Sequence, residues 1–186
     1  MGYVRIVGGE LKGRRLRVPG GGVRPTSDRI REAVFDILAP RRLLGARVLD
    51  LYAGTGAFGL EALSRGAVTA DFVEGDRAVA RALRENIEVL GLAGRARVHE
   101  ANLARIVIPA GVEGPFDLVF LDPPYEGPDG VRWLGRLAGM AWPEAGGLIV
   151  YERRKELVVE VPAGLTLATE RTYSGTKVAF YHARSG

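Results

Sequence analysis

Residues 47–59 have the sequence RVLDLYAGTGAFG, in which a short apolar segment leads directly into a glycine-rich turn. The first five residues are typical of a buried β-strand, and a helix is predicted over residues 60–65. The turn has the spacing Gly54-x-Gly56-x-x-Gly59. Glycines at this spacing let the backbone turn tightly and approach a bound nucleotide. The segment therefore predicts the first strand–turn–helix unit of a nucleotide-binding α/β sheet.

Strands and helices alternate along the rest of the chain. Further strands are predicted at residues 69–73, 95–99, 116–121 and 148–152, and further helices at residues 77–90 and 131–141. Another helix is predicted to start at residues 24–28 and to end at Pro40. Residues 165–170 and 177–183 are predicted to pair as antiparallel strands around the turn at residues 173–176. This order predicts an α/β fold over residues 23–186, a doubly wound and mostly parallel sheet with an antiparallel C-terminal strand.

The N-terminal residues 1–22 are predicted to form a separate β-hairpin. Residues 3–7 and 11–18 alternate as strands around Gly8-Gly9-Glu10, and residues 19–22 provide a flexible joint. Because an isolated hairpin is only marginally stable, we expect this one to pack loosely on the main domain or to become ordered on a partner.

The charge of the chain is concentrated at its start. Residues 1–31 contain eight basic and two acidic residues, a net charge of +6, whereas the other 155 residues contain 18 basic and 20 acidic residues, a net charge of −2. A basic arm on a nearly neutral body favours a polyanionic partner such as nucleic acid. The alternative is a solvated surface hairpin with no partner.

Composition excludes several classes of site. The chain has no cysteine and only two histidines, His99 and His182, so we expect neither disulfides nor a metal site. No apolar run approaches the roughly 20 residues that span a bilayer, and the first residues lack a signal-peptide pattern. We therefore expect a cytoplasmic protein without a membrane segment, and a monomer.

The tetrapeptide Asp122-Pro123-Pro124-Tyr125 follows the apolar strand predicted at residues 116–121. Ligands of open α/β sheets bind at the carboxyl ends of the strands, and two prolines hold the loop stiff. A carboxylate, a free carbonyl group and an aromatic ring on such a loop suit a planar amine. The alternative is a strand-ending turn with a solvated carboxylate.

Two cofactors compete for the glycine turn. The turn matches the NAD fingerprint, because Glu74 follows Gly54 by 20 residues and could accept hydrogen bonds from ribose hydroxyls. However, Asp50 precedes the turn, and its carboxylate favours an ammonium group over a pyrophosphate. Asn102 can both donate to and accept from an adenine edge. Together with Asp122, these residues favour S-adenosylmethionine.

Three further segments resemble one family of methyltransferases. They are residues 5–16 (RIVGGELKGRRL), 24–32 (RPTSDRIRE) and 59–67 (GLEALSRGA). With VLDLYAGTG at residues 48–56 and DPPY at residues 122–125, they resemble the RsmD family, whose members methylate the exocyclic N2 of a guanine in 16S ribosomal RNA. The similarity is weaker beyond Tyr125, and we assign no role to residues 173–176. Residues 153–155 are interpreted as a solvated turn, with contact to RNA as the alternative.

The resemblance implies a Rossmann-like, S-adenosylmethionine-dependent methyltransferase that acts on the small ribosomal subunit. Asp122 and the Pro123 carbonyl would accept the amine hydrogens, and Tyr125 would stack on the base. The cofactor-binding residues implied are Asp50, Ala53, Gly54, Gly56, Glu74, Asn102 and Leu103, with Thr26 and Arg31 nearby. The RNA-binding residues are Arg5, Lys12, Arg14, Arg15 and Arg17.

The sequence leaves several alternatives open. They are another RNA or DNA amino-methyltransferase of the same chemistry, an NAD-dependent oxidoreductase, and an RNA-binding module without catalysis. The sequence does not show which nucleotide is modified, or whether naked RNA or an assembled subunit is the substrate.

Overall fold

The computed structural model describes residues 2–19, 27–124, 127–140 and 147–184, and these ranges contain nine strands and four α-helices. The strands are β1 (Gly2–Arg5), β2 (Arg15–Val18), β3 (Arg47–Leu51), β4 (Thr69–Glu74), β5 (Ala96–Glu100), β6 (Leu118–Leu121), β7 (Leu148–Arg154), β8 (Leu165–Tyr173) and β9 (Thr176–Ala183). The helices are α1 (Asp28–Leu38), α2 (Ala57–Ser64), α3 (Arg77–Val89) and α4 (Asp129–Ala138).

Seven strands form one sheet in the order β5-β4-β3-β6-β7-β9-β8. Strands β3 to β7 are parallel, and β9 is antiparallel to both β7 and β8. The predicted fold class is confirmed. Because the order reverses between β3 and β6, the carboxyl ends of these two strands border the crevice where such sheets bind ligands.

Apolar side chains cover both faces of the sheet. Consecutive residues of a strand point to opposite faces, so Val48 belongs to one buried cluster and Leu49 to the other. The first cluster includes residues of α1, α2 and α3, and the second includes residues of α4. In the first, Phe120 packs against Phe58 and Phe35, with ring centroids 4.8 and 5.7 Å apart. Burial on both faces explains why β3 and β6 have nearly continuous apolar sequences.

The hairpin of β1 and β2 is part of this packed body. Arg5 pairs with Arg15 in its register, and the apolar side chains between the basic ones are buried in the first cluster: Val4, Ile6, Leu16 and Val18. The Val7 N–H donates to Glu61 Oε2 at 2.7 Å, and the Arg17 N–H donates to Asn86 Oδ1 at 2.8 Å. The expectation of loose packing is therefore wrong, because one face of the hairpin is apolar and helices α2 and α3 cover it.

The strands of the hairpin are shorter than predicted. They end at Arg5 and begin again at Arg15, and the connection between them is closed by hydrogen bonds from Gly13 to Ile6 and from Ile6 to Arg14. Most of the predicted joint, residues 20–22, lies outside the described residues.

Two expected absences concern membranes and metals. Within the described ranges, α1 to α4 are all too short or too polar to cross a bilayer. The same residues include no cluster of three or more histidine, aspartate or glutamate side chains placed to hold a metal ion.

Candidate active site

A cleft of about 870 Å³ opens at the carboxyl edge of the sheet, a size common for small-molecule sites. It brings together six of the residues predicted from the sequence: Asp50, Ala53, Gly54, Glu74, Asp122 and Pro123. Further lining residues come from the glycine turn, from the ends of β4, β6 and β7, from the first turns of α1, α2 and α3, and from the turn between β8 and β9. They are Ser27, Ile30, Tyr52, Thr55, Ala57, Phe58, Asp76, Val79, Pro124, Glu152, Arg154, Glu156, Tyr173, Ser174, Gly175 and Thr176.

The glycine turn and Glu74 are joined by hydrogen bonds. The Gly54 N–H donates to Glu74 Oε2 at 2.9 Å, and the Asp76 N–H donates to Oε1 at 2.8 Å. These bonds orient the carboxylate, and each oxygen can still accept a second hydrogen bond. Gly56 has φ of +79°, a left-handed backbone conformation that residues other than glycine rarely adopt. A side chain there would also collide with Leu83. Gly56 therefore shapes the turn, and it does not line the cleft.

Asp50 is a buried carboxyl group in the wall of the cleft. Its Oδ2 accepts a hydrogen bond from the Gly59 N–H at 2.9 Å. Burial raises the pKa of Asp50 to about 8; the Gly59 hydrogen bond opposes that rise, and the charge of Glu74 adds to it. A bound cation would favour the ionised form, whereas an anion would be repelled. The two acceptor carboxylates thus fit the ammonium and ribose groups of S-adenosylmethionine better than the pyrophosphate of NAD.

Asp122 lies directly after β6, and its N–H donates to the Leu51 carbonyl at 3.4 Å. The residue is half-buried, and Pro123 beside it is buried. Helix α4 begins next to this loop, where a side chain at Gly130 would collide with Pro123 and with the Tyr151 hydroxyl. Glycine at this position lets α4 pack closely enough to hold Pro123 in place. Tyr125 lies outside the described residues.

Comparisons with known proteins show the family of this chain. The family model described as "Conserved hypothetical protein 95" matches residues 4–182. The chain belongs to this family, the RsmD family. It is 41% identical over 172 residues to "Ribosomal RNA small subunit methyltransferase D" of Escherichia coli, covering 91% of this chain and 85% of that protein. The protein of the same name from Haemophilus influenzae is 34% identical over 174 residues, covering 92% of this chain and 89% of that one.

A solved Escherichia coli structure, the candidate methyltransferase yhhF, has a TM-score of 0.87 and 38% identity, and it covers 100% of both chains. The prediction of a Rossmann-like, S-adenosylmethionine-dependent methyltransferase of the RsmD family is confirmed.

Of the predicted cofactor residues that the structure describes, four do not line the cleft: Gly56, Arg31, Asn102 and Leu103. Arg31 is fully buried, and its Nη2 donates to the Arg5 carbonyl at 2.5 Å and to Asp28 Oδ1 at 2.7 Å. Its guanidinium therefore ties α1 to β1 and does not form part of the cleft wall. Thr26 lies outside the described residues.

Asn102 and Leu103 lie after β5, and neither lines the cleft. The Asn102 side chain accepts from the Ala104 N–H at 3.0 Å, capping the short turn Leu103–Arg105. Leu103 is buried, and its carbonyl accepts from Trp133 Nε1 at 2.8 Å. Asn102 is exposed, so contact with an adenine edge stays a prediction.

The C-terminal wall of the cleft was missed from the sequence. Strand β7 continues to Arg154, which pairs with Thr176 of β9. Residues 153–155 are therefore not simply a solvated turn. Arg153 is buried and contacts Glu170 and the Leu157 carbonyl, whereas Arg154 lines the cleft. The sequence signal that could have placed Arg154 in the cleft is the alternation of side chains along a strand. It puts residues 152 and 154 on one face of the sheet and residue 153 on the other.

Proposed function

We propose that this protein transfers the methyl group of S-adenosylmethionine to the exocyclic N2 amino group of a guanine in 16S ribosomal RNA, within the small ribosomal subunit. The observation that carries the proposal is that Asp122 and Pro123 share one cleft with the glycine turn and Glu74. Relatives 34–41% identical over most of the chain are named as small-subunit ribosomal RNA methyltransferases. We also propose that the protein acts as a monomer in the cytoplasm.

The cofactor half of the cleft lies at the ends of β3 and β4. Asp50 would face the ammonium group, and Glu74 would accept from the ribose hydroxyls. Ala53 and Gly54 provide backbone that the ligand can approach closely, with Gly56 holding the turn. Asn102, Leu103 and Thr26 complete the set that the family resemblance implies. When bound, S-adenosylmethionine supplies an electrophilic methyl group.

The catalytic half lies at the end of β6. An aromatic amine is a poor nucleophile because its lone pair is delocalised into the ring. The Asp122 carboxylate and the Pro123 carbonyl would accept its two hydrogens, which favours a localised lone pair, and Tyr125 would stack on the base. Positioning and fixed electrostatics then supply much of the acceleration. Asp122 takes up the released proton, directly or through water.

The basic hairpin supplies contacts to the RNA backbone. A base in a helix could not enter the cleft, so the target guanine must be unpaired or flipped out. Arginine and lysine contacts to phosphates fix the register of the RNA without selecting the base. The proposed contacts all have exposed side chains in the structure: Arg5, Lys12, Arg14, Arg15 and Arg17.

The test is methyl transfer from labelled S-adenosylmethionine to small subunits purified from cells that lack this protein. We expect label in 16S RNA as N2-methylguanine, identified by mass spectrometry of nuclease digests. Naked 16S RNA, large subunits and duplex DNA serve as comparison substrates. Label on adenine, or on DNA in preference to ribosomal RNA, would identify another amino-methyltransferase and contradict the proposal.

A further inference from the structure

The charge of the cleft is strongly one-sided. Among the described residues that line it, six carry carboxyl groups and one is basic. The acidic residues are Asp50, Glu74, Asp76, Asp122, Glu152 and Glu156, and the basic residue is Arg154. Carboxylates at this density repel a phosphate group. A nucleotide could therefore place its base inside this cleft only if its phosphate lay beside the positive charge.

Arg154 lies on the side of the cleft that a substrate must occupy. The cofactor residues come from β3 and β4, Asp122 follows β6, and β7 is the next strand along the sheet. Arg154 is the last residue of β7. The order of strands thus puts Arg154 beyond Asp122, on the side away from the glycine turn. A base that presents its amine to Asp122 has this wall next to its sugar and phosphate.

The backbone of Arg154 is fixed, while its side chain is exposed. Pairing with Thr176 continues the β7–β9 ladder to this residue, and the Lys155 N–H donates to the Gly175 carbonyl at 3.1 Å. The neighbouring Arg153 is anchored on the opposite face by Glu170. The side chain of Arg154 therefore starts from a fixed backbone in the lining of the cleft, and its planar guanidinium matches the geometry of a phosphate.

We propose that Arg154 binds a backbone phosphate at the target nucleotide while the base occupies the cleft beside Asp122. This inference rests on the proposed function and assigns a substrate contact to it. The residue is a substrate-binding residue whose contact is separate from the hairpin, and it makes the acidic cleft accessible to a polyanion. It takes no part in holding the cofactor.

The test compares Arg154→Ala, Arg154→Lys and Lys155→Ala in methyl transfer to small subunits from cells lacking this protein. The Lys155 variant removes the same charge one residue away, but Lys155 does not line the cleft. We expect Arg154→Ala to raise the KM for small subunits roughly 10- to 100-fold, as expected for one charged hydrogen-bonded contact. Arg154→Lys should recover part of this loss, and Lys155→Ala should change KM less than about threefold.

Binding of S-adenosylmethionine and the melting temperature, measured on the same variants, complete the test. Unchanged binding and melting with a raised KM support the proposal. An unchanged KM in Arg154→Ala, or an equal rise in Lys155→Ala, would overturn it while leaving the proposed function intact. Absence of methyl transfer by the unmodified protein would instead refute the proposed function.

Discussion

Asp50 links cofactor binding to a proton. Since burial raises its pKa to about 8, the carboxyl group is protonated in the free protein near neutral pH. A cationic ligand favours the ionised form, so binding must expel this proton. We predict that binding of S-adenosylmethionine between about pH 6 and 7 releases close to one proton. Affinity should rise by up to about tenfold per pH unit in that range. Calorimetry in buffers of different ionisation enthalpy measures both quantities.

Between pH 6 and 7 the α-amino group of the cofactor stays protonated, because the ordinary pKa of a free α-amino group is about 7.7–8.0. Any proton released in this range therefore comes from the protein. Asp50→Asn is the matched control, because the amide oxygen can still accept from Gly59 while the titrating proton is lost. Proton release should vanish in this variant, and its affinity should be lower and independent of pH. A flat affinity in the unmodified protein would show that Asp50 does not face the cation.

Asp122 is predicted to act on the substrate and not on the cofactor. Asp122→Ala should keep the affinity for S-adenosylmethionine within a few-fold and reduce methyl transfer by roughly 10²–10⁴, the usual range for a positioned acid or base. Single-turnover transfer and equilibrium cofactor binding, measured on the same preparation, separate the two effects. Asp36→Ala removes an exposed carboxylate of α1 outside the cleft and serves as the control. Equal loss of binding and transfer in a folded Asp122→Ala protein would refute the assigned role.

At the scale of elements, the sequence best predicted the site residues whose position follows from the end of a single strand. Asp50, Glu74 and Asp122 could be placed in one site because the carboxyl ends of parallel strands meet at one edge of the sheet. Arg154 was missed because the strand was predicted to end at residue 152, although β7 continues to Arg154. The turn at residues 173–176 could not be placed there, because it enters the cleft only where β9 inserts between β7 and β8, and no local pattern specifies that order. Arg31 was misplaced for a similar reason, since its partner, the Arg5 carbonyl, belongs to a distant segment.

One amide side chain of α3 contributes two hydrogen bonds to the docking of the hairpin. Asn86 is buried, accepts from the Arg17 N–H at 2.8 Å and donates to the Arg17 carbonyl at 3.1 Å. Asn86→Ala leaves both backbone groups without these partners. We predict a loss of about 1–3 kcal/mol in the free energy of unfolding, together with faster amide hydrogen exchange in β2.

Glu85→Ala is the matched control for the hairpin. Glu85 is on the same helix and contacts the same residue, through an exposed ion pair with the Arg17 guanidinium at 2.9 Å. Exposed pairs contribute about 0–1 kcal/mol, so this variant should be nearly as stable as the unmodified protein. Chemical denaturation measures both variants. An Asn86→Ala protein as stable as Glu85→Ala would mean that the Asn86 hydrogen bonds contribute little to the docking of the hairpin.

Across the whole molecule, opposite charges are separated into two regions. The N-terminal residues 1–31 carry a net charge of +6, and the described lining of the cleft is mostly acidic. An RNA strand is attracted to the first region and repelled by the second, apart from the rim at Arg154. This distribution of charge therefore favours an orientation in which the RNA backbone lies on the hairpin and a single base enters the cleft.

Removing residues 1–22 would be a poor test of this orientation, because Val4, Leu16 and other core side chains would be lost with the charges. The double substitution Lys12→Gln with Arg15→Gln removes two exposed charges and leaves that core intact. We predict weaker binding to small subunits. The slope of log affinity against log salt concentration should fall in magnitude by roughly 1.5, since each phosphate contact contributes about 0.7–0.9.

The control is Arg81→Gln with Arg97→Gln, which removes the same charge from exposed sites on α3 and β5 and should leave the slope nearly unchanged. Affinities measured over a series of salt concentrations decide the matter, and equal slopes for the two double variants would remove the hairpin from the RNA interface.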